Sequence, residues 1–416
     1  MNAYIPRLND ARLREMVDLF GAVEMYGTKW CGKTRCAQQV CRSATYVSPE
    51  NAGAYRTDPT LALAGERPHL VDEWQDAPGV WDAAKRLVDG ECGEPGLVVL
   101  TGSSTDGRLG ASHDGAGRIA RLRMRPMSLA ESGESTGEVS LAGLFAGDLP
   151  HASGSSGLAP VLQALCRGGW PQLVGKPDAA ARPYLRQYVD ATFDPEIMRL
   201  RRGQDGRAAR ACALSLARNL SQSVTLGTVA ADMGVSEKTA GAYIELLEDL
   251  YIVDAVRGWD APVRSASRVR TKPKYYFCDP SIPLALLGAS PRALEADGQT
   301  LGLAFESLVM RDLMVYMGAN PDASSEAVRY YRDSDGLEVD AVLELADGRW
   351  AAAEIKLSPD KVDRAASSLA RLRNKVAANP AARVAAPSFL AVITATGPSY
   401  VRPDGVYVVA ATSLGA

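Results

Sequence analysis

Eight consecutive residues, Gly27-Thr28-Lys29-Trp30-Cys31-Gly32-Lys33-Thr34, follow the pattern Gly-x-x-x-x-Gly-Lys-Thr. Two glycines at that spacing let a short loop turn its amide N–H groups inward around phosphate oxygens, and a helix starting at the loop's end adds a positive pole. Lys33 would meet the β- and γ-phosphates of ATP, and the Thr34 hydroxyl would sit on the accompanying Mg2+. Thr28, Lys29, Trp30 and Cys31 supply the backbone of the cradle between the glycines.

Two carboxylates follow at the end of an apolar run, His69-Leu70-Val71-Asp72-Glu73. Asp72 is expected to hold the Mg2+ shell and Glu73 to polarise the attacking water. A third apolar run ends in Leu100-Thr101-Gly102-Ser103-Ser104, which would put Ser103 beside the γ-phosphate. Arg118 and Arg121 come soon after. Either could stabilise a transition state in a neighbouring subunit or be a surface or DNA-facing arginine, and the sequence leaves both readings open.

A second set of chemically able residues lies near the C-terminus. Glu306 falls in an apolar helical stretch, Leu301–Met317; Asp340 falls in a strand candidate, residues 336–344; Glu354 and Lys356 fall in Trp350–Leu357, past a turn at Asp347-Gly348. In a strand, Glu354 and Lys356 project to one face. An acid on a helix, an Asp on a strand and Glu-x-Lys on the paired strand is the arrangement of the PD-(D/E)xK nuclease fold, which this region resembles. The resemblance implies that Asp340, Glu354 and Glu306 bind Mg2+ or Mn2+ while Lys356 orients or activates water. A plain surface ion-pair network has the same composition.

The elements that must position these residues can be read from periodicity. Leu13, Met16, Val17 and Phe20 are helically spaced, with Gly21 placed to stop the helix. Ala22–Tyr26 is a predicted strand leading into the glycine loop, and Lys33–Ser43 a predicted helix leaving it. Further short apolar strands at 45–47, 69–71 and 97–100 alternate with a helical pattern at 79–89, which indicates a parallel sheet covered on both faces. Residues 119–125 alternate Ala120, Leu122 and Met124 with Arg121, Arg123 and Arg125, a strand with one cationic side. The Ser/Gly-rich stretch 133–157 is a predicted loop and the first domain boundary. Thr225–Met233, a turn at Gly234-Val235, and Ser236 capping Glu237–Leu250 make a helix-turn-helix signature, with Lys238 and Thr239 where base-contacting side chains project. A stretch with a net charge of +5, comprising Arg257, Arg264, Arg268, Arg270, Lys272 and Lys274 against Asp260, follows where a wing would lie.

The chain has 416 residues, 46% hydrophobic and 23% charged, which suits several folded domains. No run approaches the roughly 18 apolar residues of a membrane span. The N-terminal residues lack the basic-then-apolar order of a signal peptide, so a cytoplasmic location and no membrane partner are expected. Seven cysteines without a CxxC pair and three histidines disfavour structural zinc. The net charge of −3 means that any DNA binding must come from local patches.

Ile5-Pro6-Arg7, the glycine loop, Leu70-Val71-Asp72-Glu73-Trp74-Gln75, Leu100-Thr101-Gly102-Ser103, Gly117-Arg118, Arg125-Pro126-Met127-Ser128-Leu129 and Arg167-Gly168-Gly169-Trp170-Pro171 occur in this order. The series resembles prokaryotic AAA-type P-loop ATPases whose C-terminal half is a domain of unknown function. The resemblance implies an α/β fold: a P-loop NTPase, AAA-like core at 1–150, and a helical lid at 151–219 that contains Arg167–Pro171. A winged-helix module at 220–280 and a C-terminal α/β, restriction-endonuclease-like domain at 281–416 complete the expected organisation. By analogy with AAA-type proteins it also implies a homo-oligomer. Two functions fit: ATP hydrolysis coupled to DNA binding or metal-dependent DNA cleavage, or an ATP-gated DNA-binding switch whose nuclease-like domain only makes contacts.

Overall fold

A computed structural model describes residues 4–103, 115–154, 157–195, 198, 204–259, 272–379 and 384–416. The chain forms two compact units. The first comprises Met1–Pro126, Trp170–Gln172 and Asp249–Ile252; the second comprises Met127–Gly169, Leu173–Glu248 and Val253–Ala416.

In chain order the first unit contains α1 (Asn9–Leu19), β1 (Ala22–Tyr26), α2 (Lys33–Ala37), β2 (Ser43–Tyr46), α3 (Ala52–Thr57), β3 (His69–Asp72), α4 (Gly79–Gly90), β4 (Val98–Gly102) and β5 (Ile119–Arg123). The described strands form a sheet in the order β2-β3-β4-β1-β5, with every neighbouring pair parallel. Buried apolar residues run along β1, β3 and β4, as expected for strands covered on both faces. Val80, Trp81, Ala84 and Val88 line the buried face of α4, and Trp81 lies against Trp74 with ring centroids 5.0 Å apart. Because β4 separates β1 from β3, the carboxyl ends of all three gather at one edge, where Tyr26 is in register with Gly102 and Asp72 with Thr101. Open parallel sheets present ligands at that edge.

Two local expectations change. Helix α2 is shorter than Lys33–Ser43, because the chain tightens at its end through Gln39 N–H to Cys36 O and Val40 N–H to Ala37 O. Gly21 does not cap α1, which ends with Phe20 extended; a Cβ at Gly21 would lie 2.8 Å from Val88 Cγ1, so packing requires the glycine.

The second unit begins with α5 (Leu129–Ser132), β6 (Val139–Ser140) and α6 (Leu141–Ala146). The stretch expected to be a loop is therefore partly structured: Ser140 caps α6 through the Gly143 N–H, and Leu141, Leu144 and Phe145 are buried. Strand β6 pairs with β15 (Leu414–Gly415). The first continuous stretch of the first unit ends at Pro126. Helices α7 (Ala159–Arg167), α8 (Asp178–Thr192), α9 (Gly206–Arg218), α10 (Leu226–Met233) and α11 (Glu237–Asp249) follow, then the antiparallel pair β7 (Val253–Val256) and β8 (Lys274–Phe277). Gly234, with φ of 67°, turns α10 into α11, and Ser236 Oγ accepts the Thr239 N–H.

Next come α12 (Ser281–Leu286), α13 (Pro291–Ala296), α14 (Gly298–Ala319), β9 (Ala323–Arg332), β10 (Glu338–Leu345), β11 (Trp350–Lys356), α15 (Val362–Ala378), β12 (Leu390–Thr394), β13 (Tyr400–Val401) and β14 (Tyr407–Ala410). The described strands form a mixed sheet in the order β13-β14-β12-β11-β10-β9. Helix α14 is apolar around most of its circumference and buried, whereas α15 buries one face. Val339, Val342, Ala352, Leu369, Leu372 and Val392 share one core with Trp350, whose ring stacks on Trp259 at 4.7 Å. Among the described residues no helix is long and apolar enough to cross a membrane.

Candidate functional site

The residues singled out from sequence fall into two constellations, one in each unit. In the first, the chain leaves β1 through Gly27, whose φ is 151° and where a Cβ would lie 2.0 Å from the Met124 carbonyl oxygen. Any side chain there would break the loop against the end of β5. Gly32 has φ of 105° and begins α2. Lys33 is buried, and its ammonium donates to the Gly27 and Thr28 carbonyls at 2.9 Å each, folded across the loop that it would serve. Trp30, with φ of 69°, is 42% exposed on the same loop.

The strand ends complete this constellation. Thr34 Oγ1 donates to Asp72 Oδ1 at 2.9 Å, and Thr101 Oγ1 donates to the same oxygen. Burial pushes the Asp72 carboxyl up from its ordinary range, against the pull of these hydroxyls. Glu73 sits in a left-handed conformation, φ 54°, and its Oε2 accepts from Gln75 Nε2 and, at 3.2 Å, from Ser103 Oγ. A hydroxyl and a carboxylate on neighbouring strands, beside a lysine and a glycine loop, form a donor set suited to a magnesium-bound triphosphate. Thr34, Asp72, Glu73, Lys33 and Ser103 are therefore brought together at one sheet edge. Thr101 and Gln75 join them, and sequence reading assigned neither a role, although Thr101 lay within the quoted strand end.

Arg118 is not brought to that edge. It precedes β5, at the opposite end of the sheet from the glycine loop, and its Nε donates to Asp89 Oδ1 at 2.6 Å on the surface. Arg121 donates to the buried Glu24 at 2.9 Å and lies 3.9 Å over the Tyr26 ring. The expected cationic strand face is thus partly spent within the unit.

In the second unit, Asp340 on β10 and Glu354 on β11 are both buried, and the Lys356 ammonium bridges them at 2.8 and 2.5 Å. The Ile355 N–H donates to Asp340 Oδ2 at 2.8 Å. Glu306 on α14 accepts from Tyr276 OH at 2.7 Å and lies 3.7 Å from Lys274, which is 2.6 Å from Glu338. Burial, reinforced by the Asp340 charge, pushes Glu306 and Glu354 above the usual carboxylate range. Burial opposes ionisation of Asp340 too, but the Lys356 ammonium and the Ile355 N–H hold it below that range. The expected acids and lysine do meet. The arrangement differs from the expected metal site in that an ammonium stands between Asp340 and Glu354, and among the described residues no group of three or more His, Cys, Asp or Glu is disposed to hold a metal ion.

Lys274 corrects a sequence expectation. It belongs to the basic stretch expected where a wing would lie, yet it is buried among Glu306, Glu338 and Tyr330. The alternation of β8 contained the signal, because Lys274 and Tyr276 share a strand face and Tyr276 had to be inside. Arg257 pairs with Glu326 at 3.3 Å, and Arg264, Arg268 and Arg270 lie outside the described residues. On α11, Lys238 and Thr239 are exposed as expected, alongside exposed Glu237 and Glu245.

Three segments of the chain match known family models. Residues 160–293 match the model of a domain of unknown function (DUF8612), and residues 301–414 that of another (DUF4143). An uncharacterized protein of Mycobacterium tuberculosis is 25% identical over 353 residues, which is 83% of this chain and 72% of the relative. An uncharacterized protein of Mycobacterium bovis matches with the same identity and coverage. Among solved structures, a Walker-type ATPase of Pyrococcus abyssi aligns with a TM-score of 0.42 and 13% identity over 68% of this chain and 96% of that one. RuvB of Thermotoga maritima aligns with a TM-score of 0.27 and 16% identity over 60% of this chain and 86% of that one. Residues 20–133 match the model of an AAA domain. The glycine loop, Asp72, Glu73 and Ser103 all fall within that segment, so the first constellation lies in the part of the chain that matches an AAA domain.

Proposed function

We propose that this chain binds and hydrolyses ATP at Gly27–Thr34 and uses the nucleotide cycle to bind or process DNA. The observation that carries the reading is the convergence of the Thr34 and Thr101 hydroxyls on Asp72, beside a lysine already inside the glycine loop. Thr34 and Asp72 would hold Mg2+, which supplies positive charge against the triphosphate. Lys33 would leave the Gly27 and Thr28 carbonyls for the phosphate oxygens. Glu73 would accept a proton from the water that attacks the γ-phosphorus as the bond to the bridging oxygen breaks. Ser103 and Gln75, both donating to Glu73, would keep its carboxylate oriented. ATP turnover by the full chain, measured with Mg2+ for wild type and Lys33→Ala, tests the reading. Equal turnover in both would discard it.

The rest of the domain reading is also proposed. Helices α9 to α11 followed by the β7/β8 pair support a winged helix, and α14 with β9 to β12 supports a nuclease-like domain. The ATPase core is assigned to residues 1–150, and the lid, winged-helix and nuclease-like segments to 151–219, 220–280 and 281–416. Homo-oligomerisation, with Arg118 or Arg121 serving a neighbouring copy, belongs to the same proposal.

A second reading, in which the C-terminal domain only makes contacts, is favoured by the Lys356 ammonium bridging Asp340 and Glu354. Incubation of plasmid and single-stranded DNA with Mg2+ or Mn2+ separates the two. Cleavage that Lys356→Ala stops supports an enzyme acting on DNA; DNA bound but intact supports the switch.

A further inference from the structure

Outside the glycine motif, Arg7 makes a set of contacts that the nucleotide reading leaves unexplained. It is buried, and its NH1 donates to the Cys31 carbonyl at 2.7 Å while NH2 donates to the Arg125 carbonyl at 2.8 Å. One planar guanidinium thus ties the glycine loop to the chain just beyond β5. Arg7 also lies close to Gly32, where an added Cβ would come within 3.3 Å of Arg7 NH1. Arg7 is itself anchored. Its N–H donates to Asp10 Oδ2 at 2.8 Å, and Asp10 Oδ1 accepts from Tyr4 OH at 2.5 Å and from Cys36 Sγ at 3.0 Å. Cys36 lies on α2, the helix that carries Lys33 and Thr34. The segment from Tyr4 to Asp10 therefore grips the loop before Gly32 and the helix after it.

The direction of the grip matters. In a planar trans peptide the C=O and the following N–H point to opposite sides. Fixing the Cys31 oxygen on Arg7 therefore turns the Gly32 N–H away from Arg7. A loop that binds anions needs its N–H groups inward and its carbonyls turned out, and a carbonyl that rotated inward would repel phosphate. We propose that Arg7 is a positioning residue for the triphosphate: it holds the Cys31 carbonyl behind the loop and so aims the Gly32 N–H at the phosphates. The proposal rests on the nucleotide reading above and deepens it, because it assigns part of the phosphate selectivity to a residue outside the motif. Lysine cannot replace the fork, since a single ammonium lacks two diverging donor groups held in one plane.

The test uses the full chain as wild type, Arg7→Ala and Arg7→Lys. Three quantities are measured: Kd for Mg·ATP and Mg·ADP by calorimetry, KM and kcat for ATP turnover, and Tm without nucleotide. Loss of a charged, buried donor pair predicts Kd and KM raised about tenfold or more in Arg7→Ala, with kcat changed less. Arg7→Lys, which keeps charge and bulk, is expected to fall between it and wild type. If Arg7→Ala does not fold, Arg7→Lys decides on the same criterion. A lowered Tm with Kd within twofold of wild type would mean that the arginine only stabilises the fold, and overturns the proposal. Failure of the wild-type chain to bind Mg·ATP is a different result, and removes the nucleotide reading together with this one.

Discussion

The two constellations are built from different materials. The first is mostly backbone: a loop framed by two glycines with special φ values, and side chains from strand ends that meet because parallel strands share one edge. The second is almost entirely side chain. Glu306, Asp340, Glu354, Lys356, Lys274 and Tyr276 come from one helix and three strands and are charged or polar groups buried together. A backbone cradle presents partial charges that cost little when no ligand is bound. A buried carboxylate cluster must be neutralised continuously, and here two lysines do that. The contrast predicts that damage to the first constellation shows as lost function, whereas damage to the second also shows as lost stability.

The largest expected effects are at the first constellation. Lys33→Ala should weaken Mg·ATP binding by roughly a hundredfold or more, and Glu73→Gln should slow hydrolysis by about 10²–10⁴ while leaving ATP bound. A fluorescent nucleotide titration beside a phosphate-release assay checks both, and unchanged hydrolysis by Glu73→Gln discards that residue as the base. Neither change should lower Tm by more than a few degrees, or the comparison is broken.

At the second constellation, Lys356→Met leaves Asp340 and Glu354 facing each other without the ammonium. It should destabilise the second unit by about 3 kcal/mol, read from denaturant unfolding. Adding Asp340→Asn should recover part of the loss, because Asp340 is the carboxylate held ionised and left stranded without the ammonium. Full stability in Lys356→Met would show that the ion pairs are exposed enough for water to replace them.

A pH series sharpens the comparison further. Glu306 and Glu354 have raised pKa values in the folded chain, so between the ordinary value of 4.5 and the raised values the folded state holds more protons than the unfolded one. Their contribution to stability is therefore full below pH 4.5 and is lost as pH rises through the folded pKa values. If Mn2+ binds at these acids, it should raise the Tm of the second unit at pH 8 by more than at pH 6. No metal-dependent shift at either pH favours the switch.

The smallest effect is at His69, buried in the first unit with its ring nitrogens near Ser43 Oγ, Thr45 Oγ1 and the Ala62 carbonyl. Burial lowers its pKa, so the unfolded chain binds the proton first and the first unit should lose stability as pH falls below about 6.5. A His69→Gln chain lacking that slope, while keeping turnover, would separate this effect from nucleotide chemistry.

The strand ends that carry Asp72 and Ser103 were legible because apolar runs and glycines report on their immediate neighbours. Helix α6 was missed because the Ser/Gly content of 133–157 outweighed Leu141, Leu144 and Phe145, three apolar residues whose burial depends on what packs over them. Lys274 was misassigned because a charge count along the chain does not register which strand face it occupies. Arg7 was visible only as part of a motif series, with no role attached.

By itself the sequence determined the glycine loop, the carboxylate-ended strand, the strands that carry Asp340 and Glu354, and the turn between α10 and α11. Each of these depends on backbone geometry within a few residues. Tertiary structure alone decided that Thr101 shares Asp72 with Thr34, that Arg7 grips the loop from behind, that Arg118 stays at the far end of the sheet, and that lysines close the acidic cluster. Those outcomes turn on groups far apart in the chain becoming neighbours, where burial makes an unpaired charge or donor costly enough to select its partner.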